Sequence, residues 1–117
     1  ELIARSKINF FRKSWMADYP DAENYLSMFY TNNFTPNGPN YTFFSDSTFD
    51  NNYQEVRRNI NEQIRLTLSV SCDSLVMYNA PVIPLFYDQA IRFYHNSVKN
   101  LEGNALNLLE LKKVKKL

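Results

Sequence analysis

The feature that most limits the fold is an apolar segment near residue 80 with two prolines three positions apart. It reads Ala80-Pro-Val-Ile-Pro-Leu-Phe-Tyr87 and directly follows a long helical pattern. Proline lacks a backbone N–H and clashes with the preceding helical turn, so this segment cannot continue the helix. Because nearly every position is apolar, the pattern predicts a buried extended strand that is covered on both faces.

The length of the chain limits how much cover it can supply for that strand. A chain of 117 residues has room for one domain and no second core. Its content of 44% hydrophobic and 21% charged residues is typical of a folded protein. The chain begins at Glu1 without an initiator Met, and residues 1–7 read as the last turns of a helix. We therefore expect that an upstream part was removed.

The hydrophobic pattern and the turn residues predict the order of the other elements. Asp21 is placed to cap a helix, and a surface loop rich in Asn and Pro is expected over residues 31–46. The predicted elements are a strand over 8–17, helices over 22–30, 48–58 and 60–78, a short strand over 90–95, and a C-terminal stretch, 106–117, that fits either a strand or a frayed helix.

Two helix starts carry a capping pattern, in which a small polar residue precedes an acidic residue by three positions. They are Ser47-Thr-Phe-Asp50 and Asn59-Ile-Asn-Glu62. The helix after the second pattern has an apolar stripe at helical spacing. Its members are Ile60, Ile64, Leu68, Cys72, Leu75 and Val76.

Composition excludes several classes of site. The single cysteine, Cys72, rules out an internal disulfide and a thiolate zinc site, and the single histidine, His95, rules out a multi-histidine metal centre. With only two glycines there is no Gly-rich phosphate loop. We expect no cofactor and no metal.

The charge distribution argues against nucleic acid as a partner. Four lysines lie in the last six residues, and without them nine basic residues face twelve acidic ones. A nucleic-acid-binding protein normally spreads positive charge over its body. The terminal lysines are typical of a solvated tail.

An acidic turn after Trp15 is the first candidate for chemistry. Asp18, Asp21 and Glu23 follow the predicted strand within a few residues. A carboxylate beside an indole can pair with a ligand ammonium group. Equally, Asp21 is a helix cap and Asp18 a turn residue. The residues alone leave both interpretations open.

The remaining reactive side chains favour structural roles. His95 has no Ser or Cys nucleophile signature nearby, which is typical of an exposed histidine. Cys72 lies on the apolar stripe, where a free cysteine behaves as a small hydrophobic residue.

Two stretches together resemble the closing part of the extracellular solute-binding proteins of peptide and nickel ABC importers (family 5). They are Trp15-Met-Ala-Asp18-Tyr-Pro-Asp21-Ala-Glu-Asn-Tyr-Leu26 and residues 80–87. That family has a Trp-x-x-Asp-Tyr-x-(Asp/Glu)-Pro-x-x-Phe-Leu stretch, an Asn-Tyr loop, a Phe-Asp helix start, a helix bearing Arg, and Ala-Pro-x-x-Pro-Leu-Tyr-Tyr. The loop, helix start and arginine correspond here to Gly38-Pro-Asn-Tyr41, Phe49-Asp50 and Arg65.

The resemblance implies an α/β fold: the C-terminal fragment of a two-lobed, periplasmic-binding-protein-like (type II) fold, with helices packed on a small mixed sheet. It assigns residues 1–45 to the second lobe, and 46–117 to the hinge return and the end of the first lobe. It makes Asp18 the partner of the ligand's α-amino group. The other implied ligand-binding residues are Trp15, Met16, Ala17, Tyr87 and Asp88.

The sequence departs from the family pattern at several positions. Ala22 stands where Pro is common after the second acid, and Leu68-Ser69 where Leu-Tyr is frequent. Asp88 stands where an aromatic residue approaches the ligand in some members.

The expected function is therefore that of the peptide-binding component of an ABC importer, not an enzyme, acting as a periplasmic or cell-surface lipoprotein. Its expected partners are a peptide and, through the full-length protein, the importer's membrane subunits. Because the chain would have lost the neighbours of its apolar segments, we expect the fragment to self-associate. Two alternatives stay open: a small hydrolase-like enzyme that uses Asp18 or Asp21 with His95, and a self-contained interaction domain.

Overall fold

Three helices account for most of the regular structure. The computed structural model describes residues 2–5, 7–87, 91–103 and 109–116. The chain divides into two units, Glu1–Pro84 and Leu85–Leu117. The first contains helices α1 (Ala22–Leu26), α2 (Ser47–Arg58) and α3 (Glu62–Asn79), and the second contains strands β1 (Val98–Lys99) and β2 (Lys115–Lys116). Short 3₁₀ turns span Ile3–Arg5, Ser27–Phe29, Thr31–Asn33 and Leu111–Lys113.

Helix α1 begins where the sequence predicts it. Asp21 is extended and its side chain accepts a 2.9 Å hydrogen bond from the backbone N–H of Glu23, which confirms it as the cap. The helix tightens into the turn Ser27–Phe29, so helical structure covers most of the predicted range 22–30. Leu26 and Phe29 are buried.

The caps of α2 and α3 differ from the prediction. Asp46, not Ser47, caps α2 by accepting a 2.8 Å bond from the N–H of Phe49. Asn61, not Asn59, caps α3 by accepting from the N–H of Ile64. The predicted and observed caps differ because Asp, Asn and Ser cap helices about equally well, so the local sequence does not determine which of two nearby residues is the cap.

The core lies between α2 and α3. One face of α2 buries Phe49, Tyr53 and Val56, which are at most 2% exposed, and it packs against Cys72 and Val76 of α3. These residues recur at helical spacing, so burial of one face accounts for the helix pair. Edge-to-face contacts of Phe49 with Phe29 and Phe44 close the core toward α1 and the loop.

The predicted apolar stripe of α3 is confirmed at its C-terminal half and wrong at its start. Cys72 and Val76 are buried, whereas Ile60 is 97% and Ile64 46% exposed. Ile60 precedes the first helical residue and so has no helical phase. At about 100° per residue, Ile64 lies at the margin of the face that Cys72 defines.

The loop over residues 31–46 has the predicted turn chemistry but a buried centre. The Asn40 side chain is fully buried and donates to the carbonyls of Tyr30 (3.1 Å) and Phe44 (2.9 Å). Gly38 lies so close to Asn33 that an added Cβ would be 2.5 Å from its carbonyl oxygen. The prediction of a surface loop is therefore wrong for Asn40. Its side-chain amide gives the loop carbonyls the hydrogen bonds that a neighbouring strand would give them in a sheet.

The predicted strand over 8–17 is wrong. These residues form no ladder, and Phe10 and Met16 are 85% and 63% exposed. A strand needs a neighbour to pair with, and the described part of the chain offers none along this stretch. Within this stretch only Phe11, Trp15 and Ala17 are partly buried.

Residues 80–87 form neither helix nor strand, as the two prolines require, but the predicted burial is wrong. Ala80 adopts a left-handed conformation (φ 48°) that ends α3, and Pro81 follows it. Ile83, Leu85, Phe86 and Tyr87 are all at least two-thirds exposed. The described residues therefore do not supply the cover that the pattern requires.

In the second unit, β1 and β2 pair antiparallel, with Val98 opposite Lys116 and Lys99 opposite Lys115. An isolated parallel bridge joins Phe34 and Asn40 in the first unit, and the mixed sheet of the complete fold stays a prediction. Residues 91–95 of the predicted strand 90–95 form no ladder, and Ala90 lies outside the described residues. The C-terminal stretch contains both a 3₁₀ turn and a strand. Helices with a small sheet are consistent with the α/β class.

The division of the chain between two lobes stays a prediction.

Among the described residues, no helix is long and apolar enough to span a membrane.

Candidate functional site

Trp15 anchors the start of the acidic turn, the segment from Trp15 to Asn24. Its indole N–H donates a 2.8 Å hydrogen bond to the side-chain oxygen of Asn24, which is only 4% exposed. A buried amide oxygen with a fixed partner holds the indole in one place. The segment that precedes α1 is therefore tied to the helix by the side chain of Trp15.

Asp21 ties the same turn to α3. One carboxylate oxygen caps α1, and the other forms an ion pair with the guanidinium of Arg65. Both side chains are about one-third exposed, at 33% for Asp21 and 31% for Arg65. The arginine of the resemblance thus meets the second acid of the motif, a contact across 44 positions that the sequence analysis did not predict.

Glu23 is the third attachment point, and it ties the turn to α2. Its carboxylate accepts hydrogen bonds from the hydroxyls of Tyr19 and Tyr53 and lies 3.7 Å from Nε of Arg57. Burial and the bond to Glu23 raise the pKa of Tyr53, and the bond to Glu23 and burial raise that of Tyr19. Both phenols therefore remain protonated donors at neutral pH.

Asp18 differs from these two acids. Its side chain is exposed and makes no hydrogen bond or ion pair with any described residue. It lies between Trp15 and Asp21, both of which are held in place. The turn therefore presents one unoccupied carboxylate on an anchored segment.

The other predicted ligand-binding residues that the structure describes are at least partly exposed. Met16 and Tyr87 are 63% and 97% exposed, and Ala17 is half-buried. Asp88 lies outside the described residues. Two open clefts, one beside Tyr30 and one beside Asn100, are not lined by Asp18. All six ligand-binding assignments stay predictions.

His95 and Cys72 have local roles. Nδ1 of His95 accepts a 3.2 Å bond from the N–H of Ser97 and lies 3.0 Å from its hydroxyl. Burial raises the pKa of the Cys72 thiol to about 11. A search for groups of three or more metal-ligating side chains, confined to the described residues, finds none.

Sequence reasoning missed the polar groups on the outer side of α2, namely Gln54, Arg57 and Arg58. Together with Tyr30 they line an open cleft of about 350 Å³, the basic cleft. The sequence contained a signal for this group, because the i, i+3 and i+4 spacing of the three residues places them on one face of a helix. Nothing in the sequence showed that Tyr30 would lie against that face, because this contact depends on the tertiary fold.

Comparison with known proteins gives one informative match. Over 106 residues the chain is 24% identical to the dipeptide-binding protein DppE of Bacillus subtilis. The match covers 91% of this chain but only 19% of DppE, so the chain spans about a fifth of that relative's length. No family model matches the chain. DppE is by name a binding protein, not an enzyme, and the match indicates a distant relationship to part of a peptide-binding protein.

Proposed function

We propose that the chain is part of the substrate-binding component of an ABC importer that takes up di- or oligopeptides. The observation that carries this proposal is the carboxylate of Asp18, which has no partner among the described residues although the other acids of the turn are engaged. Asp18 pairs with the α-amino group of the peptide. The match to a dipeptide-binding protein supports the ligand class.

The physical chemistry of an ammonium ligand suits this turn. A carboxylate without internal partners keeps its acceptor capacity for the incoming charge, and an attached segment loses little conformational freedom on binding. Trp15 adds an apolar wall. Met16 and Ala17 contact the peptide partly through their backbone groups, as in the addition of a strand.

The complete protein, in this proposal, is two-lobed and closes on the ligand like a hinge. It is a lipoprotein outside the membrane that delivers the peptide to the importer's membrane subunits. The small share of DppE covered by the match supports this view, since it leaves room for the rest of both lobes. By the resemblance to the family, Tyr87 and Asp88 also contact the peptide in the complete protein.

The test uses the full-length protein and calorimetry with two forms of one peptide, one with a free and one with an acetylated amino terminus. In the proposed full-length protein, closure buries the pair between Asp18 and the peptide. Breaking a buried charge pair costs about 3–5 kcal/mol, so Asp18→Ala is expected to weaken the free peptide roughly 100-fold or more. The acetylated peptide has no ammonium group and is expected to lose far less. Asp73→Ala removes the same charge from an exposed site on α3 and serves as the control. Equal losses for both peptides would overturn the assignment.

The hydrolase alternative has less support. Both oxygens of Asp21 are engaged, one as a cap and one with Arg65. DppE is a binding protein by name.

We further propose that the isolated 117-residue chain associates with itself. This proposal is supported by the exposure of apolar side chains in residues 80–87 and after them, among them Phe86, Ile91 and Phe93. Light scattering over a range of protein concentrations is expected to show dimers or larger assemblies. A compact monomer at all concentrations, with a thermal transition independent of concentration, would contradict this proposal.

A further inference from the structure

The basic cleft has a buried phenol at its base. Tyr30 is 8% exposed, and its hydroxyl oxygen accepts hydrogen bonds from Nδ2 of Asn32 (2.8 Å) and Nε2 of Gln54 (2.9 Å). A phenolic hydroxyl can donate one hydrogen bond in addition to those it accepts. Among the described residues, the Tyr30 hydroxyl donates to no acceptor. Its proton is therefore available to a group in the cleft.

The amide of Gln54 is fixed in the orientation that leaves this proton unused. Its nitrogen faces Tyr30, and its oxygen lies 3.4 Å from Nη2 of Arg58, which can only donate. Turning the amide over would bring two donors together at Arg58. The two contacts thus support the same arrangement.

Two guanidinium groups complete the lining, and most of their N–H groups have no acceptor among the described residues. Nε of Arg57 lies 3.7 Å from Glu23, and Nη1 of Arg58 lies 3.8 Å from Glu55. Both distances are too long for strong hydrogen bonds. Each guanidinium carries five N–H groups in a planar fork that suits carboxylate and phosphate oxygens.

Packing limits the position of one of these groups. The guanidinium carbon of Arg57 lies 5.9 Å from the centre of the Tyr53 ring, which in turn packs on the Tyr30 ring at 4.8 Å. Arginines in a last helical turn also interact favourably with the helix dipole. That effect explains their charge but neither the cleft nor the unused proton of Tyr30.

We propose that the basic cleft binds an oxyanion group, a carboxylate or a phosphate, through the Tyr30 hydroxyl and the guanidinium groups of Arg57 and Arg58. Among the described residues that line the cleft, the two charged side chains are both arginines, so the charge that faces the ligand is positive. The inference is independent of Asp18, which does not line this cleft.

The experiment titrates the 117-residue chain separately with sodium phosphate and sodium acetate, with ionic strength held constant by sodium chloride. The NMR signals of the Arg57 and Arg58 Nε–H groups report binding. Saturable shifts are expected with at least one of the two anions. Saturation by phosphate alone assigns a phosphate ligand, and saturation by acetate assigns a carboxylate. Shifts that grow linearly with both anions would overturn the proposal.

Matched variants separate a specific site from general charge attraction. Tyr30→Phe removes only the hydroxyl and is expected to weaken binding about 3- to 10-fold. Arg58→Gln is expected to weaken it at least as much, whereas Lys7→Gln, with the same charge change at an exposed residue that does not line the cleft, is expected to leave it unchanged. An equal loss for Lys7→Gln and Arg58→Gln would overturn the proposal, as would full affinity in Tyr30→Phe.

Two further variants keep the test decisive. If Tyr30→Phe does not fold, Arg58→Lys takes its place, because lysine keeps the charge but loses the planar fork. Full affinity in Arg58→Lys would then contradict the proposal. Asp18→Ala is expected to give the same response to each anion as the unmodified chain, so a failure of the peptide proposal and a failure of this one are distinguishable.

Discussion

The ion pair between Asp21 and Arg65 gives a quantitative test of how the acidic turn is held. Asp21→Asn keeps a side-chain oxygen for the cap of α1 but removes the charge that faces Arg65. Exposed ion pairs contribute about 0.2–1 kcal/mol, and hydrogen bonds to charged groups about 1.5–3 kcal/mol. Because both side chains are about one-third exposed, we expect a loss of about 1–1.5 kcal/mol. Asp21→Ala also removes the cap and is expected to cost about 1 kcal/mol more.

The assay is urea unfolding of the 117-residue chain, followed by circular dichroism at one fixed protein concentration. Arg58→Gln is the control, since Arg58 and its partner Glu55 are both mostly exposed, and its effect is expected to stay within about 0.5 kcal/mol. The double variant Asp21→Asn with Arg65→Gln is expected to show a coupling energy of about 1 kcal/mol. A coupling energy near zero would refute the argument that this pair attaches the turn to α3.

Three further changes test the core, the loop and the thiol. Phe49→Ala is expected to cost about 3–5 kcal/mol, because the ring is fully buried, and loss of helical circular dichroism measures it. Gly38→Ala is expected to cost about 1–3 kcal/mol, because the new Cβ would meet the Asn33 carbonyl at 2.5 Å; Gly103→Ala, with nothing within 4 Å, is expected to leave the melting temperature unchanged, and equal effects would contradict the argument. Cys72 is expected to react slowly with thiol reagents at a pH of about 8 until the protein unfolds, because burial raises its pKa to about 11 and little thiolate forms; fast labelling of the folded chain would show that the thiol is accessible.

Local signals predicted local structure well. The cap at Asp21 and the helices that became α1, α2 and α3 depend on neighbouring residues, and the structure confirms them within a few positions. The cap of α2 is Asp46 and not the predicted Ser47, because the side chains of both residue types can cap a helix and the local pattern does not choose between neighbours. The strand over residues 8–17 failed for the opposite reason, since a strand is fixed by a neighbour that local sequence does not specify.

In the candidate site, too, local sequence did not specify the contacts between distant residues. A motif identified the acidic turn and singled out Asp18, but the contacts that hold the turn join residues far apart in the chain. Glu23 reaches Tyr53 across 30 positions, and Asp21 reaches Arg65 across 44. Charge and residue type made these residues available for pairing, yet only the packing of α1 against α2 and α3 selected the partners.

The left-handed residue Ala80 has a consequence for how this chain can change during evolution. A non-glycine residue with φ 48°, followed directly by Pro81, gives α3 an end that cannot shift by a residue. One residue inserted or deleted within α3 would turn the exit of the chain by about 100° and move it by about 1.5 Å along the axis. The residues after Ala80 would then leave the helix in a different direction. Homologues are therefore expected to conserve the number of residues between Asn61 and Ala80 more strictly than the residue types.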